Sequence, residues 1–352
     1  MPAWGRNRLL PIGLSLGDRC ATLLQLSQSA GRFDVHALAH GPLPVNETAA
    51  PDEQDRQIAA TLRRMLSDHP FRGRNVVSCL GSQELFVQNV RLPKLPPEEI
   101  EKVIRWEAEE RLPYGVDEAE IRHLLAGEVR QDANIKQEVI LLACHQGVLR
   151  RHLALLELAG LTPAAIDVEP CALLRALQEA DAAADARRAY IHLGERATTV
   201  IFAEGTQILF LKYITTGGQQ FDQAVARHLN LPIEEAARLR ADVSANASIE
   251  SRDEVQRSVF EALRVPLDHV GTEIELCLRY YKVTFRGRPL ERVILTGEEA
   301  YPWMLDFWSS RIGAPCFMGD PFSRLKNSQP GDKGLPGRWS TAVGLSLKPT
   351  AA

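Results

Sequence analysis

Residues 189–218 read AYIHLGERATTVIFAEGTQILFLKYITTGG, and the fold of the chain turns on how that stretch is parsed. Three runs rich in β-branched and aromatic residues, Tyr190–Leu193, Thr198–Ala203 and Ile208–Tyr213, are separated by turns at Gly194 and at Glu204-Gly205. Apolar β-formers bounded by glycine turns predict an antiparallel meander of three strands. Gly217-Gly218 closes the meander directly before a helical pattern. A tight glycine turn between short strands is a place where backbone N–H groups can face a phosphate.

The same grammar stands near the N-terminus. IGLSLGDRCATLLQL, residues 12–26, is strand, glycine turn, strand, and it continues through Gly31-Arg32 into a third strand, Phe33–Ala39. With Gly17 set on Gly194, Thr22 falls on Thr199, and Ser15 and His192 each stand two residues before the glycine. An internal echo of this kind predicts two similar lobes, each opening on a meander.

The chain has 352 residues, enough for two or three compact units with real cores. Its 45% hydrophobic and 24% charged residues are ordinary globular composition, and a net charge of −4 gives no electrostatic case for nucleic acid. Six cysteines (Cys20, Cys79, Cys144, Cys171, Cys277, Cys316) are scattered without a CxxC pair, against zinc or a disulfide framework and in keeping with a reducing cytosol. No run reaches the roughly 20 apolar residues of a membrane span, so a soluble chain is expected, with any membrane link made through a partner.

Between the meanders, Pro96-Pro97-Glu98-Glu99 starts a helix with proline and acids in its first turn. Ile100, Val103, Ile104 and Ala108 mark its buried stripe; Trp106 lies off that stripe, where it caps the core edge or meets a partner. Strand-like Glu84–Leu92, that helix, strand-like Glu120–Val129 and Gln137–Cys144, and a helix Gly147–Ala159 give a β-α-β-β-α module inserted in the first lobe. The expected domains are a first lobe over 1–180, with the module at about 84–160, a linker at 181–188, and a second lobe over 189–352. In that second lobe Asp253–Arg264 and Pro266–Tyr281 read as two helices, and His228, on the apolar face behind Gly217-Gly218, reads as a core histidine.

Several segments taken in order carry a resemblance. They are residues 12–26; RLPKLPPEEIEKVIRWEAEERLPYGVDEAEI, 91–121; LLELAGLTPAAIDVEPCALLRAL, 155–177; IHLGERATTVIF, 191–202; TTGGQQFDQAVARHLNLPIEEAARLR, 215–240; and VILTGEEA, 293–300. Together they resemble the type IV pilus assembly protein PilM family, of the actin-like nucleotide-binding superfamily and close to the cell-division protein FtsA. The resemblance implies an α/β fold of two actin-like (ribonuclease H-like) lobes with a small α+β subdomain inserted in the first. It also implies a cytoplasmic scaffold, peripheral to the inner membrane, that binds the short cytoplasmic N-terminal segment of the bitopic protein PilN. The cytoplasmic domain of the type II secretion protein GspL shares this architecture, which keeps a secretion-system member open.

The resemblance also marks where a nucleotide would lie: Gly17, Asp18 and Arg19 in the first loop, Gly194 and Glu195 in the second, Gly217 and Gly218 at the following helix, and Gly297 on the adenine side. The departures from the family pattern are equally specific. Ser15 and His192 stand where the two loops usually carry acids, Glu298 follows Gly297 in place of a second glycine, and Ala237 replaces the acid of an AE-x-x-K helix at 236–240. A divalent ion wants carboxylate oxygens, so loss of both loop acids predicts an eroded site, no metal, no catalytic residue and a pseudo-ATPase. The alternative is an ATP-binding ATPase or phosphotransferase, for which Glu195, Asp18 and Asp222 are the nearest carboxylates.

Overall fold

The computed structural model describes residues 8–44, 50–131, 134–178, 183–246, 253–285, 289–325 and 335–350. The chain opens with β1 (Arg8–Leu16), β2 (Cys20–Ser29) and β3 (Arg32–Pro42), then α1 (Pro51–Asp68) and β4 (Asn75–Leu80). Next come β5 (Phe86–Pro93), α2 (Pro97–Glu109), β6 (Ala119–Gln131) and β7 (Asn134–His145), followed by α3 (Gln146–Leu158), β8 (Thr162–Val168) and α4 (Glu169–Leu177). The second half holds β9 (Arg187–Leu193), β10 (Thr198–Glu204), β11 (Gln207–Ile214), α5 (Gly218–Leu229), α6 (Ile233–Asn246) and α7 (Glu254–Thr284). It ends with β12 (Arg292–Thr296), α8 (Met304–Ile312), β13 (Cys316–Met318) and α9 (Ser340–Ser346).

Two five-stranded sheets repeat one plan. The first runs β3-β2-β1-β4-β8 and the second β11-β10-β9-β12-β13. In each, an antiparallel meander supplies three strands and two parallel strands extend its inner edge. The echo read from spacing is a register: Ser15 lies opposite Thr22, and His192 opposite Thr199. A tight turn fixes hairpin pairing, so a shared glycine position carries the partners on both sides with it. Strands at the sheet centre are buried on both faces, as β9 is from Arg188 to Leu193, which is why their sequences run apolar rather than alternating.

The inserted module is a three-stranded sheet, β5-β7-β6, with α2 laid on it through Ile100, Ile104 and Ala108. Although it is inserted in the first lobe, it docks on the second. Asn89 Nδ2 donates to the Leu211 carbonyl at 2.9 Å, Gln207 Nε2 to that of Leu125 at 2.9 Å, and the Tyr280 hydroxyl to Glu138 Oε2 at 3.0 Å. Helix α3, expected inside the module, touches its β7 but packs mainly on α1 and β8 of the first lobe. It does so because its buried residues Leu155 and Leu156 complete the cluster around Leu62 and Val76.

Three further expectations are corrected. Asp253–Arg264 and Pro266–Tyr281 form one 31-residue helix that runs through Pro266. The buried stripe Val259, Leu263, Leu267, Val270 and Ile274 stays in register across the proline, and its packing outweighs the roughly 3 kcal/mol an interior proline costs. Helix α9, assigned by sequence order to the second lobe, lies on β1, β2, β4 and α4 of the first. Ser346 Oγ donates to the Pro11 carbonyl at 2.8 Å and accepts from the Leu26 amide at 3.2 Å. The chain therefore crosses between lobes twice. His228 is exposed, since it sits in the last turn of α5, beside the left-handed stop at Asn230. Of the expected linker, residues 181 and 182 lie outside the described residues, and Arg187 already begins β9.

One apolar cluster joins all three parts: Leu24 and Leu26 of the first lobe, Ile140 and Leu142 of the module, and Tyr190, Ile201 and Ile294 of the second lobe.

Candidate functional site

The two glycine turns face each other across the inter-lobe cleft, and they are built alike. Gly17 N donates to the Cys20 carbonyl at 2.9 Å and Gly194 N to that of Ala197 at 3.0 Å. Helix α5 starts against the second turn, with Gly218 N donating to the Gly194 carbonyl (3.0 Å) and Gln219 N to that of Glu195 (2.8 Å). Gly217 N is taken by its own Gln220 Oε1 at 2.8 Å. The first amides of α5, which at a bare helix end would attract an anion, thus already have acceptors. Gly297 comes off β12 at φ +110°, and a Cβ there would stand 2.1 Å from the Leu193 carbonyl oxygen, so only glycine fits beside the second turn.

Charged side chains close the cleft. The Arg19 amide donates to Glu195 Oε2 at 3.3 Å, its guanidinium meets Glu195 Oε1 at 3.1 Å, and its Nη1 reaches Asp222 Oδ2 at 3.4 Å. Asp18 pairs in the opposite sense with Arg196. Glu298 reaches under the second turn, where its Oε1 accepts from the Glu195 amide at 3.0 Å. Deeper in, Arg240 Nε donates to Asp222 Oδ1 at 2.6 Å while its two other nitrogens hold Glu299 at 2.6 and 3.1 Å. Between the lobes, Thr199 Oγ1 of β10 donates to Glu169 Oε1 at the start of α4 at 2.7 Å.

Burial pushes the Glu195 carboxyl above its ordinary range, although Gln219 and Arg19 pull it down. Glu298 is raised for the same reason, with His192 opposing the shift and Glu299 adding to it. Burial, then the nearby Glu195 and Glu298 charges, raises the Cys20 thiol. His192 is itself buried, and its Nδ1 has no hydrogen-bond partner. Among the described residues no three His, Cys, Asp or Glu side chains form a group that could share a metal ion.

All eight residues that sequence reading marked for a nucleotide thus meet around this cleft, with Ser15 and His192 one residue before the ends of β1 and β9. Sequence reading did not mark Arg196, Glu169 or Glu299. Arg240 ends the altered helix motif, and its spacing eighteen residues from Asp222 gives no sign that they touch.

Away from the cleft, a cavity of about 560 Å³ opens where the module meets the second lobe, lined by Phe86, Val87, Phe210, Leu211, Leu276 and Tyr280 among others. On the module's outer helix Trp106 is 59% exposed, so it does not cap the core.

A family profile described as type IV pilus assembly protein PilM matches residues 13–349. Among solved structures, one titled "PilM-PilN type IV pilus biogenesis complex" superposes with a TM-score of 0.78 at 22% identity, covering 96% of this chain and 97% of that one. The ethanolamine utilization protein EutJ from Carboxydothermus hydrogenoformans follows at 0.55 and 14%, over 97% and 89% of the two chains. The cytoplasmic domain of EpsL, an inner-membrane component of the type II secretion system of Vibrio cholerae, matches at 0.41 and 13%, over 96% of each, too distant a likeness to carry weight. At these identities the likeness is one of fold, and that fold is the two-lobed actin-like one.

Proposed function

This chain belongs to the type IV pilus assembly protein PilM family, and from that premise we propose that it is a scaffold which binds the cytoplasmic N-terminal segment of a PilN-like bitopic protein and turns over no nucleotide. The observation that carries the reading is the near-complete two-way coverage of the chain in the PilM-PilN complex, 96% and 97%. Coverage this extensive supports a chain that keeps the inserted module as well as the two lobes. The module offers a partner an exposed aromatic, Trp106, on the segment Arg91–Tyr114, and exposed tryptophans are frequent anchors of protein interfaces.

The alternative, an ATPase or phosphotransferase, needs a carboxylate free to hold a metal ion or accept a proton. Asp18, Glu195 and Asp222 each already sit on a guanidinium, which favours the scaffold. No helix among the described residues is long and apolar enough to cross a membrane. In this reading the chain is cytoplasmic, and its bitopic partner holds it at the inner membrane.

The test is a titration of the purified full chain with a synthetic peptide of the partner's cytoplasmic N-terminal segment. Saturable one-to-one binding is expected. Absence of binding, with the chain folded, would sink the scaffold reading.

A further inference from the structure

We infer that the inter-lobe cleft is self-liganded: the carboxylates of Glu195 and Glu298 act as built-in anions on the two glycine loops, and Arg19 as the cation between them, so the lobes are clasped without a nucleotide. The inference deepens the scaffold reading by naming what has taken the place of the ligand that an actin-like fold implies.

It rests first on which amides are taken. In the first loop the Arg19 N–H points at Glu195 Oε2, and in the second the Glu195 N–H points at Glu298 Oε1. Each bond is the contact a phosphate oxygen would make with such a loop. Both acceptors come from the opposite side of the cleft or from the adjoining β12 end, as a ligand's oxygens would.

A second, independent observation is charge. The residues reaching into the cleft include Glu195, Glu298, Glu299 and Asp222, three of them linked in chains to Arg19 or Arg240. A polyphosphate entering here would have to displace one carboxylate and lie beside the others, and like charges close together in a partly buried site repel. The residues present do not fit a nucleotide.

Third, the clasp spans the lobes. Asp18 and Arg19 come from the first lobe and pair with Arg196, Glu195 and Asp222 of the second. Arg19 is 46% exposed, and a lone surface pair of that kind would contribute little. Glu195, however, is only 17% exposed and Asp222 only 4%, so the far ends of the clasp are fixed in protein.

Two measurements test this on the full chain. The first is calorimetric titration with ATP, with and without magnesium, of the native chain and of a Glu195→Gln, Glu298→Gly double variant. We expect no saturable binding by the native chain up to about 1 mM, and binding at least roughly tenfold tighter in the double variant. Micromolar binding by the native chain, or no gain in a folded double variant, would overturn the inference.

The second is hydrogen exchange of the folded Arg19→Ala chain. Amides of residues 15–20 and 192–198 should exchange roughly tenfold faster than in the native chain while the sheet centres stay protected. Unchanged exchange there would show that Arg19 clasps nothing. Neither result depends on the partner: native chain that ignores ATP and also ignores the partner peptide would keep the clasp and end the scaffold reading, and the reverse pair of results would do the opposite.

Discussion

Arg240 Nε donates to Asp222 Oδ1 at 2.6 Å with both side chains no more than 5% exposed, and the same guanidinium holds Glu299 by its other two nitrogens. The three charges stabilise one another only as a set, because each would be left in low dielectric if its partner went. Removing one member of a buried ion set typically costs about 3–5 kcal/mol, since the remaining charges stay buried and unpaired. Arg240→Ala should therefore lower unfolding free energy by about that amount in a urea titration. A loss below about 1 kcal/mol would mean that the set is solvated in solution.

Where α9 crosses α4 the backbones nearly touch. A Cβ at Gly344 would stand 1.8 Å from the Ala172 carbonyl oxygen, with backbone on both sides of the clash. Gly344→Ala should cost about 1–3 kcal/mol, toward the upper end because no side chain can move aside. Limited proteolysis should then cut near the C-terminus first, as α9 undocks from the first sheet. A variant as stable as the native chain would refute the close crossing.

His152 is on the buried face of α3, its Nε2 3.1 Å from Ser78 Oγ of β4, and burial lowers its pKa from the ordinary 6.5. The folded imidazole stays neutral while the unfolded chain takes up a proton. The associated stability is fully present above pH 6.5 and is lost as pH falls toward the folded value. Thermal melts at about pH 7.5 and about pH 5 should show this loss, and His152→Gln should reduce it. An identical pH dependence in the variant would assign the loss to other groups.

Trp106 stands clear of the α2 core stripe. Trp106→Ala should leave stability within about 0.5 kcal/mol. If the module receives the partner, the same change should weaken the partner peptide roughly tenfold or more, the usual cost of losing an aromatic anchor. Unchanged stability with unchanged affinity would move the contact away from α2.

Much of the fold was legible because it is local. Each meander is a run of β-formers cut by glycine turns, and a turn sets the register of the strands beside it, so Ser15 with Thr22 and His192 with Thr199 followed from counting. Helix α2 was legible from Pro97, the acids after it and the stripe Ile100, Ile104, Ala108. Pro266 misled because propensity is a local preference, and the apolar stripe of α7 overrides it through contacts with the rest of the second lobe.

Counting along the chain is enough to give two echoing lobes, the place of the loops between their strands, and Ser15 and His192 each two residues before a loop glycine. What fills the cleft follows from the closing of the two lobes. Arg19 and Glu195 are 176 residues apart, and no periodicity links a pair that meets only when two separately folded sheets close on each other. The same holds for α9 returning to the first lobe and for the module docking on β11. Turn geometry and apolar period act within a few residues, whereas charge pairing and packing across lobes depend on the distances that the whole fold creates.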